Sequence, residues 1–231
     1  MIPVWQWDEA QQIGTDYENV AEVEAYDSRM REVRDVGAEN RRIIEILQLQ
    51  PGAHVLEIGT GTGAFARDAS PLCAQVTAID ISPVMLEYAA QRARECGIVN
   101  ITFQTGGFLT HQADAATYDA VVSGLALHHL PDVWKAVALE RIYTWLKPGG
   151  RLSLRDVVFD WTGDQPGVYF DRIAGPDMPE TSRHALLRHI RQEYSTLAWI
   201  MEGLLTRAGL EILDQRQDGL FLREYLCRKV G

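Results

Sequence analysis

Short apolar runs alternate along this chain with longer stretches in which apolar residues recur at helical spacing. The runs at 54–58, 75–79, 101–104, 120–123 and 151–158 predict strands buried on both faces. The periodicity between and before them predicts helices over 19–36, 38–47, 63–69, 82–96 and 132–146. Ser82 followed by Pro83 supplies an N-cap and a first-turn residue, and Lys147-Pro148-Gly149 supplies a stop. After a helix over 193–208, strands over 211–216 and 221–227 are joined through Gln217-Asp218-Gly219, a hairpin signal. Alternation of this kind builds a parallel sheet covered on both faces. The pattern predicts an α/β fold: a Rossmann-like, seven-stranded, mostly parallel sheet with helices on both faces and a C-terminal antiparallel hairpin. No internal repeat or low-complexity tract interrupts it.

The first strand breaks into Gly59-Thr60-Gly61-Thr62-Gly63. Glycines at alternate positions let the backbone turn tightly, bring its N–H groups close to a ligand and aim a helix N-terminus at it. The second strand ends at Asp80, whose carboxylate can accept two ribose hydroxyls, so the ligand predicted is an adenosine. Gly59, Gly61 and Ala64 formally satisfy the dinucleotide fingerprint as well. Glu57 decides between the two, because a carboxylate two residues before the first glycine repels a pyrophosphate and attracts a ligand carrying ammonium and sulfonium charges. An NAD(P)-dependent oxidoreductase gains only from Tyr143-x-x-x-Lys147. It loses on context, since that helix stops at Lys147-Pro148-Gly149 and Leu130 stands where its serine is needed.

These segments resemble the class I S-adenosylmethionine-dependent methyltransferases over roughly residues 17–228. Val55 to Gly63 is similar to the family's first motif, Ala78 to Leu86 to its second, Tyr118 to Ser123 to the fourth strand and Leu146 to Leu152 to the turn before the fifth. Leu127-His128-His129-Leu130 and the segment 17–30 are similar to the small-molecule branch, the ubiquinone- and menaquinone-biosynthesis-like, type 11/25 enzymes. The resemblance implies S-adenosyl-L-methionine as cofactor and S-adenosyl-L-homocysteine as product. It implies a cofactor site at Glu57, Gly59, Thr60, Gly61, Gly63, Asp80, Ile81, Met85, Gly107, Phe108 and Ser123. The chain departs from the family after the third strand, where an acidic residue commonly takes the adenine amino group and Thr105-Gly106-Gly107-Phe108 stands here. Either adenine is held by Phe108, Ile81 and backbone contacts, or Asp114 takes the role.

Composition then narrows the partners. With 46% hydrophobic and 23% charged residues among 231, the chain can bury a full core and is expected to form one domain. Within it, 1–36 is expected to cover the pocket, 37–158 to bind cofactor, 159–192 to form a substrate-side insertion and 193–231 to add the last helix and hairpin. A net charge of −10 argues against a nucleic-acid substrate. No apolar run or leader pattern suggests membrane insertion or export, so a cytoplasmic enzyme with a small-molecule substrate is expected. Cys73, Cys96 and Cys227 lack metal-ligand spacing and are read as reduced, mostly buried thiols, with no metal assigned. His128 and Asp156, beyond the fourth strand and in the fifth, are the candidate catalytic pair facing the methyl group; the alternatives are that His128 hydrogen-bonds backbone and shapes the pocket floor and that Asp156 pairs with Arg155 or another neighbouring base. Tyr17, Tyr26 and Arg155 are expected on the substrate side. Arg183, His184, Arg188, His189 and Arg191 are read as a solvated helix face. A cofactor-binding protein without transfer activity is the remaining rival, which turnover with a substrate panel separates.

Overall fold

The computed structural model describes residues 3–11, 23, 34–161, 163, 165–175 and 178–231. The expected helix over 19–36 lies almost wholly outside them, as do Tyr17 and Tyr26. In chain order the elements are α1 (Val36–Leu47), β1 (His54–Ile58), α2 (Ala64–Ala69), β2 (Gln75–Asp80), α3 (Pro83–Glu95), β3 (Ile101–Thr105), β4 (Tyr118–Gly124), α4 (Asp132–Trp145) and β5 (Leu146–Phe159). Then follow α5 (Pro166–Ile173), α6 (Glu180–Gln192), β6 (Thr196–Leu197), α7 (Ala198–Arg207), β7 (Leu210–Asp218) and β8 (Leu222–Lys229).

The sheet runs β3-β2-β1-β4-β5-β8-β7, with the first five strands parallel and β8 and β7 antiparallel, and β6 adds a short parallel pairing to β5. Period-two alternation splits each central strand between two cores. Val55, Val76, Ala78 and Val122 pack beneath α1 and α2 with Ile43, Leu47, Phe65 and Ala66. Leu56, Ile79 and Val121 point the other way, against Leu139 and Ile142 of α4 and Met201 and Leu205 of α7. Asp35 caps α1 by accepting from Ala38 N at 2.9 Å, and Ser82 caps α3 by accepting from Met85 N at 3.2 Å.

Three expected boundaries change. The fifth strand begins at Leu146, not 151, because the chain extends directly from α4 and Leu146 pairs with Tyr118 before the register shifts. Gly150 allows that shift, since a Cβ there would lie 2.9 Å from Lys147 O. The helix expected from 193 starts at Ala198, because Tyr194 N donates to His128 O and Thr196-Leu197 pairs with Val158-Phe159. The insertion, expected only as a Pro- and Gly-interrupted segment, forms α5 and α6 around a third apolar cluster of Val157, Phe159, Tyr169, Ile173 and Leu186.

Candidate functional site

The carboxyl ends of β3, β2, β1 and β4 open onto one cavity. At its centre the glycine turn folds back on β2: Gly59 N and Thr60 N both donate to Ile79 O, at 2.9 and 3.0 Å. Gly59, Gly61 and Gly63 have φ of +75°, +52° and +73°, the left-handed region that glycine enters without strain. Gly59 and Gly61 line the cavity, whereas Gly63 faces Ala89 and Phe103 and lets α2 close on the sheet. A Cβ built at Gly61 meets nothing within 4 Å, which leaves that approach open to a ligand.

Asp80 lies on the cavity wall, pinned by Gly61 N on Oδ2 at 2.8 Å and Ser82 N on Oδ1 at 2.9 Å. Burial raises its pKa, and those backbone donors oppose the rise. Glu57 is buried at the end of β1, with Thr60 Oγ1 donating to Oε2 at 2.6 Å. Burial pushes its carboxyl up to about 8, so it is mostly the neutral acid without a cation beside it. Ile81, Met85, Gly107 and Phe108 line the β3 side of the cavity. Ser123 lies beneath the wall, fully buried, with no hydrogen-bond partner for its hydroxyl.

The β4 side of the cavity departs from expectation. Gly124, Leu125, Ala126, His129 and Leu130 form its wall. His128 and Asp156 lie behind it, because the 3₁₀ turn Leu127–His129 directs the two adjacent imidazoles differently. His128 donates its backbone N–H to Asp156 Oδ2 at 3.0 Å, its Nδ1 lies 2.5 Å from Asp156 Oδ1 and its Nε2 3.2 Å from Glu193 Oε2. Glu193 Oε2 is also 2.5 Å from Nδ1 of His189, whose Nε2 bonds Ser195 at 2.6 Å. His189 is therefore an inward-facing member of this network and not part of a solvated face. Burial disfavours charge on His128, but the two carboxylates outweigh it and raise its pKa to about 9. Burial and the neighbouring His128 charge hold His129 down to about 4, so a neutral imidazole faces the cavity. Nitrogens of His128 and His129 and an oxygen of Glu193 lie within 4.8 Å of one another, a cation-like spacing, yet hydrogen bonds already close the network around His128 and Glu193.

Arg155 is displaced from its expected substrate side. It alternates with Asp156 along β5, so its guanidinium reaches the opposite face, 2.8 Å from Asp218, 3.2 Å from Glu39 and 3.4 Å from Glu224. Asp114 is exposed and lines no part of the cavity. Tyr143 and Lys147 serve separate ends, the hydroxyl donating to Val230 O and the ammonium to Asp119, and Lys147 is not helical.

Sequence reasoning missed Glu9, His129 and Glu193. His129 carried a signal, as the second imidazole of Leu127-His128-His129-Leu130. Glu193 was hidden in a helix-like run, and Glu9 had no local signal at all. Leu125 was missed too. It stands on the wall at φ +57°, backbone strain of the kind concentrated at functional sites.

A glycine turn, a ribose-competent aspartate and a buried glutamate across the strand ends of an open sheet define an adenosine-cofactor enzyme. Residues 55–150 match the family described as "Methyltransferase domain". An uncharacterized methyltransferase of Anoxybacillus flavithermus is 30% identical over 200 residues, covering 85% of this chain and 88% of its own. The aklanonic acid methyltransferase DauC of a Streptomyces species is 30% identical over 170 residues, covering 72% and 71%. The complex between the Haloferax volcanii Trm112 methyltransferase activator and a putative methyltransferase contains a chain of the same fold, with a TM-score of 0.70 and 18% identity over 93% of this chain and 96% of that one. The chain belongs to the class I S-adenosylmethionine-dependent methyltransferases.

Proposed function

We propose that this methyltransferase acts in the cytoplasm on a small, largely apolar acceptor that binds at the β4 end of the cavity beside His129. One observation carries the reading: Leu125, Ala126 and Leu130 wall that end, and His129 brings a neutral imidazole to it. The net charge of −10 gives nucleic acid no basic face, and among the described residues no helix is long and apolar enough to cross a membrane. One relative is named for an organic-acid acceptor, aklanonic acid, which agrees with a small-molecule class.

S-adenosylmethionine, when bound, supplies a methyl group on a sulfonium whose charge is lost on transfer. Gly59 and Gly61 admit it, Asp80 is placed for the ribose and Glu57 for the cationic end. The apolar wall excludes water, so alignment and desolvation supply most of the acceleration. A pKa near 4 makes His129 a weak base at neutral pH. Its role is to orient the acceptor by hydrogen bonding, and acceptors already ionised at neutral pH, such as carboxylic acids, suit it best because no proton has to be removed on methyl transfer. Behind it His128, Asp156 and Glu193 are positioning residues.

The test is turnover with a panel of phenols, carboxylic acids and amines, following S-adenosylhomocysteine release. His129→Ala should cut kcat/KM at least tenfold and leave S-adenosylhomocysteine affinity unchanged. Wild-type turnover in that variant removes His129 from the acceptor end, and no turnover with any small molecule favours a cofactor-binding protein without transfer activity.

A further inference from the structure

Glu9 belongs to the segment 3–11, which lies outside the sheet and is fastened over the β3 side of the cavity. Gln6 Nε2 donates to Leu109 O at 3.3 Å, Trp7 meets Tyr194 edge-on at 5.4 Å and Trp5 stacks on Trp134 at 6.2 Å. From there the Glu9 side chain runs inward to become part of the cavity wall, 8% exposed. Its Oε1 accepts from Thr110 N at 2.7 Å, Thr110 Oγ1 at 2.6 Å and Leu109 N at 3.0 Å, while among the described residues Oε2 shares only the Leu109 N–H, at 3.0 Å. Gly107 makes the room: a Cβ there would lie 2.5 Å from Glu9 Oε2. A carboxylate about a hundred residues away in sequence thus fills the side-chain space that the loop after β3 leaves vacant.

A carboxylate has about four acceptor directions, and the uneven use of its two oxygens leaves Oε2 capacity for another donor. The sheet order says which donor. Asp80 on β2 lies between the glycine turn on β1 and the Gly106–Phe108 loop after β3. With the ribose at Asp80 and the acceptor at the β4 end, the base falls on the β3 side, where Ile81, Met85 and Phe108 offer apolar surface to a planar ring. Resting on the S-adenosylmethionine reading, we propose that Glu9 accepts a hydrogen bond from the exocyclic amino group of the cofactor's adenine, so that seating of the N-terminal segment and cofactor binding form one equilibrium. An ionised carboxylate only accepts, so the same contact rejects a purine with a 6-oxo group. By linkage, the cofactor tightens the segment as much as the segment tightens the cofactor.

The experiment compares S-adenosylhomocysteine with S-inosylhomocysteine, its 6-oxo analogue, by calorimetry on the wild type and on Glu9→Gln. The wild type should prefer the amino compound by about ten- to a hundredfold, the range for one hydrogen bond to a charged group. Glu9→Gln should bring the two affinities within a few-fold of each other. In the wild type, hydrogen exchange at the Leu109 and Thr110 amides should slow with S-adenosylhomocysteine and not with an equal concentration of the inosyl analogue. The inference is overturned if the wild type binds both compounds equally, or if Glu9→Gln weakens both by the same factor, the mark of a residue that only fastens the segment. Exchange at those amides that ignores both ligands overturns it without any variant. A wild type that binds neither compound removes the cofactor reading itself, a result distinct from the other three.

Discussion

On the proposed reading, in which Glu57 meets the cationic end of the cofactor, its carboxyl links cofactor binding to pH. With its pKa near 8 it is mostly protonated at neutral pH, and a cationic ligand favours the ionised form. Binding of S-adenosylmethionine at pH 7 should therefore release close to one proton, read by calorimetry in two buffers of different ionisation heat. Affinity should climb between pH 6 and 8, and Glu57→Gln should abolish both effects. The histidine network behaves oppositely, as a matter of fold stability. His128, raised to about 9, contributes stability that is full below its unfolded pKa of about 6.5 and is lost as pH rises through 9. Asp156 and Glu193 are shifted down, so their contribution is present above the ordinary carboxylate range and is lost only in acid. Thermal unfolding should peak between roughly pH 5 and 6.5 and decline toward 9, as His128 deprotonates and the buried Glu57 acid ionises; Glu193→Gln should lessen the His128 part of that decline and Glu57→Gln the other. At this scale the sequence exposed what is local: Gly59 to Gly63, Asp80 and Glu57 act within or beside one turn. It could not say which of His128 and His129 faces the cavity, nor which of Arg155 and Asp156. Adjacent residues point apart on a 3₁₀ turn or a strand, and only Asp156, Glu193 and Glu39, distant in the chain, settle the direction.

The glycine turn makes the same distinction between fold and site within one element. A Cβ at Gly59 would lie 2.6 Å from the Ala126 Cβ, on the segment after β4, whereas one at Gly61 meets no protein atom within 4 Å. Gly59→Ala should therefore lower the melting temperature of the ligand-free protein substantially. Gly61→Ala should cost only the left-handed backbone penalty of about 1–2 kcal/mol and still lose most S-adenosylhomocysteine affinity. Thermal unfolding with and without ligand separates the two, and equal ligand-free losses would show that Gly61 also serves the fold. Strands β1, β2 and β4 were legible because burial makes each a short, mostly apolar run, and the edge strand β3 because Ile101 and Phe103 alternate with polar residues. Helix α5 was not, since Pro166 and Gly167 read as breaks, although Pro166 occupies the first turn of a helix, where proline fits; of α6 only the basic helix face over 183–191 was read, without its bounds. The start of α7 was misplaced for a different reason: Glu193 has helical propensity, but its carboxylate is claimed by His128 and His189.

Across the whole molecule, the parallel half carries the cavity and the antiparallel half is tied to it by charge. Arg155 of β5 meets Glu39 of α1, Asp218 of β7 and Glu224 of β8, and Arg42 joins Glu224 at 2.9 Å. Arg155→Met leaves these carboxylates without their central cation and should destabilise the fold by about 3–5 kcal/mol, with S-adenosylhomocysteine affinity unchanged at temperatures where the variant is folded. Loss of affinity in proportion to stability would place Arg155 back at the site. The mostly parallel sheet and its antiparallel end followed from strand-helix alternation and the hairpin signal, whereas the order β3-β2-β1-β4-β5-β8-β7 and the reach of Glu9 across the strand ends did not, because tertiary packing alone orders the strands and brings residue 9 to residue 107. The third apolar cluster adds a final consequence. Tyr169, Ile173 and Leu186 pack on Val157 and Phe159 and on Leu125 of the cavity wall, apart from the two cores that hold the sheet. Exchange of this cluster's helices for a relative's should therefore shift the range of acceptors turned over and leave S-adenosylhomocysteine affinity unchanged, and a chimera with the parent's acceptor range would show that the cluster does not reach the acceptor through Leu125.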